Sequence, residues 1–188
     1  MIIIASTRPG RVGLPVGEWF SERAREHGGF DVTIADLAEW NLPFLDEPNH
    51  PRLHEYVHEH TERWSEAVES SDAFVFVMPE YNHGINAPLK NAIDYLHDEW
   101  SRKPVGFVSY GGVAAGTRAV QMTKQIVISL RMVPLNDAVS IPFVKTMIGD
   151  DGVFHPSETV EASVRPMLDE LAAVAGAMRS VRESAQPV

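Results

Sequence analysis

The chain has 188 residues, 44% of them hydrophobic and 22% charged, which suits a globular chain with one sizeable core and excludes a collagen or a disordered tail. With 26 acidic against 16 basic side chains the formal charge is −10, so long-range attraction to nucleic acid or an anionic membrane is not expected. There is no cysteine, which excludes disulfides, thiolate metal sites and cysteine nucleophiles; any redox chemistry must come from a bound cofactor.

Apolar runs alternate with helical patterns from end to end. Ile2–Ala5 reads as a buried strand. It is too short for an export signal and runs straight into Ser6, Thr7 and Arg8, so a cytoplasmic protein is the expectation. Residues 14–26 follow as a helix, with Pro15 in its first turn and Leu14, Val16, Trp19 and Phe20 on its apolar face. Phe30, Val32 and Ile34 alternate with polar residues, as a half-buried edge strand would. The Pro-, Asn- and Asp-rich stretch 37–51 is a loop. From Pro51 the spacing of Leu53, Val57, Trp64 and Val68 predicts a helix ending near Ser70.

Ala73–Met78 is apolar at every residue, the pattern of a central parallel strand covered on both faces. A helix over 88–98, a strand over 104–109, a helix over 115–131 and a strand over 137–144 come next. The last helix starts at Ser157, with Glu158 and Glu161 suited to its first turn and Pro166 expected to kink it. Five strands with crossover helices make an α/β three-layer sandwich, a flavodoxin-like five-stranded parallel sheet of order 2-1-3-4-5. No repeat or linker divides it, so one domain over 1–188 is expected. No later stretch is long and apolar enough to span a bilayer.

Ligands of such sheets sit beyond the carboxyl ends of the strands, where the winding reverses. That singles out three loops. The first, Ser6-Thr7-Arg8-Pro9-Gly10-Arg11-Val12-Gly13, offers hydroxyls, flexible backbone, a helix amino terminus and two guanidinium groups, a set suited to a phosphate monoester. It is neither a dinucleotide Gly-x-Gly-x-x-Gly nor a Walker A sequence. The second is Pro79-Glu80-Tyr81-Asn82-His83-Gly84-Ile85-Asn86-Ala87-Pro88, opening the helix Pro88-Leu89-Lys90-Asn91-Ala92-Ile93-Asp94. The third is Ser109-Tyr110-Gly111-Gly112.

The second segment resembles the NADPH-dependent FMN reductase family of quinone, azo-dye and chromate reductases, which carries a Pro-Glu-Tyr-Asn segment ahead of a Pro-Leu-Lys-Asn-Ala-Ile-Asp helix. The first loop is similar to that family's Gly-Ser-x-Arg phosphate turn, with Ala5 where glycine is usual. The resemblance implies bound FMN, NADPH or NADH as hydride donor, and a small-molecule electron acceptor. It also implies a homodimer, or a tetramer of such dimers, with the flavin pocket near the subunit interface. Ser6, Thr7, Arg8, Arg11, Val12 and Gly13 would then hold the phosphate. Pro79, Glu80, Tyr81, Asn82, His83 and Gly84 would line the ring, with Ser109, Tyr110, Gly111 and Gly112 at its pyrimidine end, where the N–H groups of Gly111 and Gly112 would face developing negative charge. No residue is assigned as catalytic and none as a metal ligand, because the flavin carries the chemistry; His83 is read as a loop residue rather than a proton donor. Large apolar residues on the helices, Ile93, Tyr95, Leu96 and Trp100 and then Ile126, Ile128, Leu130 and Met132, are expected to supply the dimer contact.

Three other patterns compete. His54-Glu55-Tyr56-Val57-His58 is a literal His-Glu-x-x-His, the zinc-peptidase spacing, in a stretch rich in His and Glu. Ser109, Asp137 or Asp150, and His155 follow a hydrolase order, without the first glycine of a nucleophile elbow. Gly111 to Thr117 imitates Walker A without its lysine. A flavodoxin-like electron carrier would share the fold, but the arginines of the first loop and the long second segment favour a reductase.

Overall fold

The computed structural model describes residues 1–184. Five parallel strands, β1 (Ile2–Ile4), β2 (Ile34–Asp36), β3 (Phe74–Pro79), β4 (Pro104–Tyr110) and β5 (Val133–Ile141), form one sheet in the order β2-β1-β3-β4-β5. The helices are α1 (Gly13–His27), α2 (Leu37–Trp40), α3 (Glu59–Glu69), α4 (Ala87–Asp94), α5 (Thr117–Ser129) and α6 (Glu158–Ser184). The expected architecture and strand order are both observed.

Alternation along the central strands sorts the side chains into two cores. Ile3, Phe74, Phe76, Met78, Val105 and Phe107 face α2 to α5 in one core. Ile2, Val75, Val77, Val108 and Tyr110 meet α1 and α6 in the other. A period of two therefore makes both faces of β3 and β4 apolar at once. Gly106 belongs to this packing, since a Cβ there would lie 2.6 Å from Sδ of Met167 on α6.

Several element boundaries differ from the sequence expectation, each for a local reason. The expected strand over 30–34 is instead β2, Ile34–Asp36, because the pairing partner is the three-residue β1, with Ile2 opposite Ile34 and Ile4 opposite Asp36. The helix expected from Pro51 begins only at Glu59. The Glu47 carboxylate accepts the backbone N–H groups of Val57 (2.9 Å) and His58 (3.1 Å) and holds the chain outside the helix. Only a 3-10 turn, Pro51–Leu53, precedes it. The helix expected over 88–98 stops at Asp94. Buried Glu99 accepts the N–H of His97 and the hydroxyls of Tyr56 and Ser65, fixing a separate 3-10 turn at Asp98–Trp100. The last strand starts and ends earlier than expected, at Val133 and Ile141, and the left-handed Phe143 (φ 47°) turns the chain beyond it. α6 begins at Glu158, one residue after the expected start, with the Ser157 hydroxyl accepting the Val160 N–H ahead of it, and the helix continues through Pro166 as one element.

Tyr95, Leu96 and Trp100, read from sequence as surplus apolar surface, are buried within their own chain, as is Ile93. The Trp100 ring lies edge-on to Phe74 at 4.9 Å and to Trp64 at 6.1 Å, and its indole N–H donates to the Ile93 carbonyl at 3.1 Å. Trp100→Ala should therefore lower the unfolding free energy by about 3–5 kcal/mol, measured by urea denaturation. A loss below about 1 kcal/mol, typical of surface changes, would contradict this placement.

Candidate functional site

The carboxyl ends of β1, β3 and β4 lie side by side, and the three loops leave from them. Beyond β1 the ladder runs one residue further, the Ala5 N–H donating to the Val77 carbonyl at 2.9 Å. Across the edge, the buried Asn86 amide donates to the Ala5 carbonyl at 2.7 Å, joining the first loop to the foot of α4. Ala5 is itself fully buried in the first core, which accommodates the methyl group that replaces the more usual glycine.

The first loop turns tightly, with the Arg11 N–H on the Arg8 carbonyl (3.0 Å) and Gly10 left-handed at φ 70°. It delivers the chain to the start of α1, where no side chain caps the helix and the first turn holds no acid. The hydroxyls of Ser6 and Tyr110 converge there. Both are buried, neither has a hydrogen-bond partner, and a Cβ on Gly13 would overlap both oxygens. Burial pushes the Tyr110 pKa up, with Ser6, Arg11 and Arg8 acting the other way, so the phenol stays protonated. Thr7 and Arg8 are exposed, and Arg8 forms no ion pair among the described residues. An uncapped helix terminus, two orphaned hydroxyls and a free guanidinium suit a phosphate group.

Arg11 departs from its expected role. Its guanidinium grips the Asp36 carboxylate with two nitrogens and the Ser6 carbonyl at 2.7 Å. The Asp36 bond holds its pKa above the ordinary arginine value. Asp36 also accepts the Ala38 N–H at 3.0 Å as the cap of α2. In this structure Arg11 is thus a strut between the first loop and the β2–α2 corner.

In the second loop Pro79 is the last, buried residue of β3. Tyr81 and Gly84 exchange backbone hydrogen bonds at 3.2 and 2.9 Å across left-handed Asn82 (φ 50°) and His83 (φ 66°), the backbone of a tight two-residue hairpin. Tyr81, Asn82 and His83 are exposed at the edge. The close approach that Gly84 permits is to Met122, whose Sδ would stand 3.1 Å from a Cβ there. The Glu80 side chain, expected among the cofactor-binding residues, is committed to α5. Its carboxylate accepts the Arg118 guanidinium at 2.6 Å and the Arg118 backbone N–H at 3.1 Å, bracing the start of α5. Burial works to raise its pKa, but these bonds outweigh it and hold the group below the usual carboxylate range.

The third loop corrects the expected pair of backbone donors. The Gly111 N–H is already given to the Ile141 carbonyl at 3.3 Å, leaving Gly112 as the exposed member. The Ser109 hydroxyl is fully buried and donates to the Ala115 carbonyl at 2.8 Å. It is a structural bond rather than a nucleophile, while His155 is exposed and paired with Asp151 at 3.6 Å. The zinc-peptidase spacing also fails in space. Residues 54–58 are not helical, His54 lies 3.7 Å from Glu99, and His58 lies 3.9 Å from Asp46. Two histidines four apart share a face only on a helix.

Asp36, Asn86 and Arg118 organise this edge and were not singled out from sequence. Asn86 carried a signal, since it stands two residues before Pro88 at a helix start, but a capping role would have been inferred. Its amide spans to Ala5 instead. A cleft of about 460 Å³ adjoins the first loop, lined by Thr7, Leu37, Pro43, Phe44, Pro88 and Asn91. A larger cleft of about 680 Å³ opens at the opposite end of the sheet, lined by Met1, Thr33, Asp72 and Phe74, away from the three loops.

With this geometry in view, the comparisons with known proteins are specific. The model of the NADPH-dependent FMN reductase family matches residues 1–146. The chain is 37% identical over 153 residues to an NAD(P)H-dependent FMN reductase of Schizosaccharomyces pombe, covering 79% of this chain and 76% of that protein. It is 34% identical over 106 residues to an NAD(P)H:quinone oxidoreductase of Solanum tuberosum, covering 52% and 50%. Among solved structures, the flavoenzyme NAD(P)H:(acceptor) oxidoreductase FerB of Paracoccus denitrificans superimposes with a TM-score of 0.74 at 19% identity, covering 94% of this chain and 96% of that one. The fold, the segment from Pro79 to Asp94 and the family match over most of the chain agree: the chain belongs to the NADPH-dependent FMN reductase family.

Proposed function

We propose that the chain, acting as one domain, is an FMN-dependent NAD(P)H oxidoreductase that passes two electrons to a small planar acceptor, a quinone in the first place, with azo compounds, free flavin and oxidised metal ions as the other acceptors of this class. The observation that carries the reading is the partnerless Ser6 hydroxyl beside the uncapped start of α1, within a chain of this family. Arg8, Ser6 and the first N–H groups of α1 would bind the phosphate. Tyr81, Asn82 and the Gly112 N–H would border the ring. FMN held there would supply the two-electron hydride chemistry. The protein orients the partners and leaves protons to solvent.

The homodimer or tetramer is also a proposal, and of the residues expected to carry it Ile128 is exposed while Ile93, Tyr95, Leu96, Trp100 and Met132 are buried. Phe44 is 84% exposed, and Leu45, Leu53 and Val57 on the same segment are also exposed, as are Met122 and Ile128 on α5. This is apolar surface that a second copy would cover. No helix among the described residues is long and apolar enough to cross a membrane. A cytoplasmic location is part of the proposal.

Four measurements test this reading. Purified protein given FMN and then NADPH without oxygen should lose its visible flavin absorption and recover it when a quinone is added; an unchanged band would reject the proposal. Arg8→Ala should weaken FMN by about 1.5–3 kcal/mol, roughly tenfold or more, with the thermal midpoint unchanged. Arg11→Ala should instead lower stability by about 1–3 kcal/mol, because Asp36 is left buried without its partner. If the two variants exchange these effects, the roles assigned to the arginines are wrong. Light scattering over a dilution series should give a dimer or tetramer; an active, flavin-loaded monomer at micromolar concentration would remove the assembly from the proposal.

A further inference from the structure

Tyr110 lies at the end of β4 and was grouped from sequence with the pyrimidine end of the site. The fold places it elsewhere. Its ring packs in the core against α1 and α6, and its phenol oxygen ends beside Gly13, the first residue of α1, next to the Ser6 hydroxyl. Tyr110 is 3% exposed and Ser6 2%; neither oxygen has a partner outside the pair, and the Ser6 hydroxyl is close enough to the phenol to act on its pKa. A buried hydroxyl short of hydrogen bonds is costly, and here two occur together at a helix terminus that also lacks a cap. The one residue between them is a glycine, although its φ is not in the left-handed region that would demand one. The absent Cβ preserves the space in which the two hydroxyls meet.

We propose that Tyr110 is a positioning residue for the phosphate of the bound mononucleotide: its phenol donates to Ser6 Oγ, and the Ser6 proton is thereby directed to a phosphate oxygen at the start of α1. A serine hydroxyl has one proton and two lone pairs. An accepted bond from Tyr110 occupies one lone pair and favours the orientation in which the serine proton points outward to the anion. Burial keeps the phenol protonated, so it remains a donor throughout the working range. The inference rests on the FMN reading and adds a specificity to it, because the pair acts only on ligands that carry a phosphate.

FMN and riboflavin, which lacks the phosphate, separate this contribution from the rest of the site. Binding of each is followed by quenching of flavin fluorescence for the unaltered chain, Tyr110→Phe, Ser6→Ala and the double variant. Tyr110→Phe should weaken FMN by about tenfold and leave riboflavin unchanged. The double variant should bind FMN no more weakly than Ser6→Ala alone, since the phenol acts through the serine. Equal weakening of both flavins would place Tyr110 at the ring, and additive losses would mean that it acts independently of Ser6; either overturns the proposal. So does an unchanged preference for FMN over riboflavin in Tyr110→Phe. If that variant does not fold, Gly13→Ala decides the matter. Its methyl group intrudes between the two oxygens and should abolish the preference for FMN while riboflavin still binds; a retained preference overturns the proposal. Failure of the unaltered chain to bind either flavin would overturn the FMN reading itself, together with this inference.

Discussion

A strand buried on both faces can carry almost no polar side chain along its length, because each would lose water without gaining a partner. β1 and β3 obey this strictly, and β4 very nearly. Polar chemistry is therefore forced to the strand ends. At the carboxyl edge the chain changes character within a residue or two: Ala5 to Ser6, Pro79 to Glu80, Tyr110 to Gly111. The two apolar cores fix the spacing of those three exits, and the loops inherit that spacing. The long link from Asn86 to Ala5 belongs to the same constraint, since a buried carbonyl at the end of β1 needs a donor and no further strand residue supplies one.

The charged groups at this edge divide their work by partner. Arg11 with Asp36, and Arg118 with Glu80, form two pairs that each also engage a helix start, α2 in the first case and α5 in the second. Both pairs hold loop backbone in place. Arg8, without a partner among the described residues, is the cation left for an anion. In a chain of formal charge −10, a single uncommitted arginine beside a helix terminus is a local exception to the overall field.

The segment between α2 and α3 shows a second use of acidic groups, two of its own and the buried Glu99 beyond α4. Glu47 and Glu99 accept backbone N–H groups and hydroxyls from several directions, while Asp46 receives Tyr95 at 2.9 Å and His60 at 3.0 Å. These bonds hold an irregular stretch against α3 and α4, and they keep the residues that imitate a zinc motif in sequence out of a helix. Asn91 reinforces it, donating to the Pro43 carbonyl at 2.7 Å and accepting the Leu45 N–H at 3.0 Å. That brings Phe44 to the rim of the cleft beside Thr7.

The amino-acid sequence by itself determined the alternation of strands and helices, the sheet order, the edge at which the site lies and the family, because hydrophobic period and local motifs are properties of neighbouring residues. It also determined which residues enter the three loops. Only the tertiary structure decided what each of them does there. Arg8 and Arg11 look alike three residues apart, and only Asp36, 25 residues later, distinguishes them. Ser109 looks like a nucleophile until its hydroxyl is found donating to the Ala115 carbonyl, and Trp100 looks like an interface residue until Phe74 and Trp64 enclose it. Tyr110 ends at the start of α1, away from the third loop, because its ring packs into the core shared by α1 and α6. Burial and hydrogen-bond partnership are set by groups distant in the chain, so no local pattern records them.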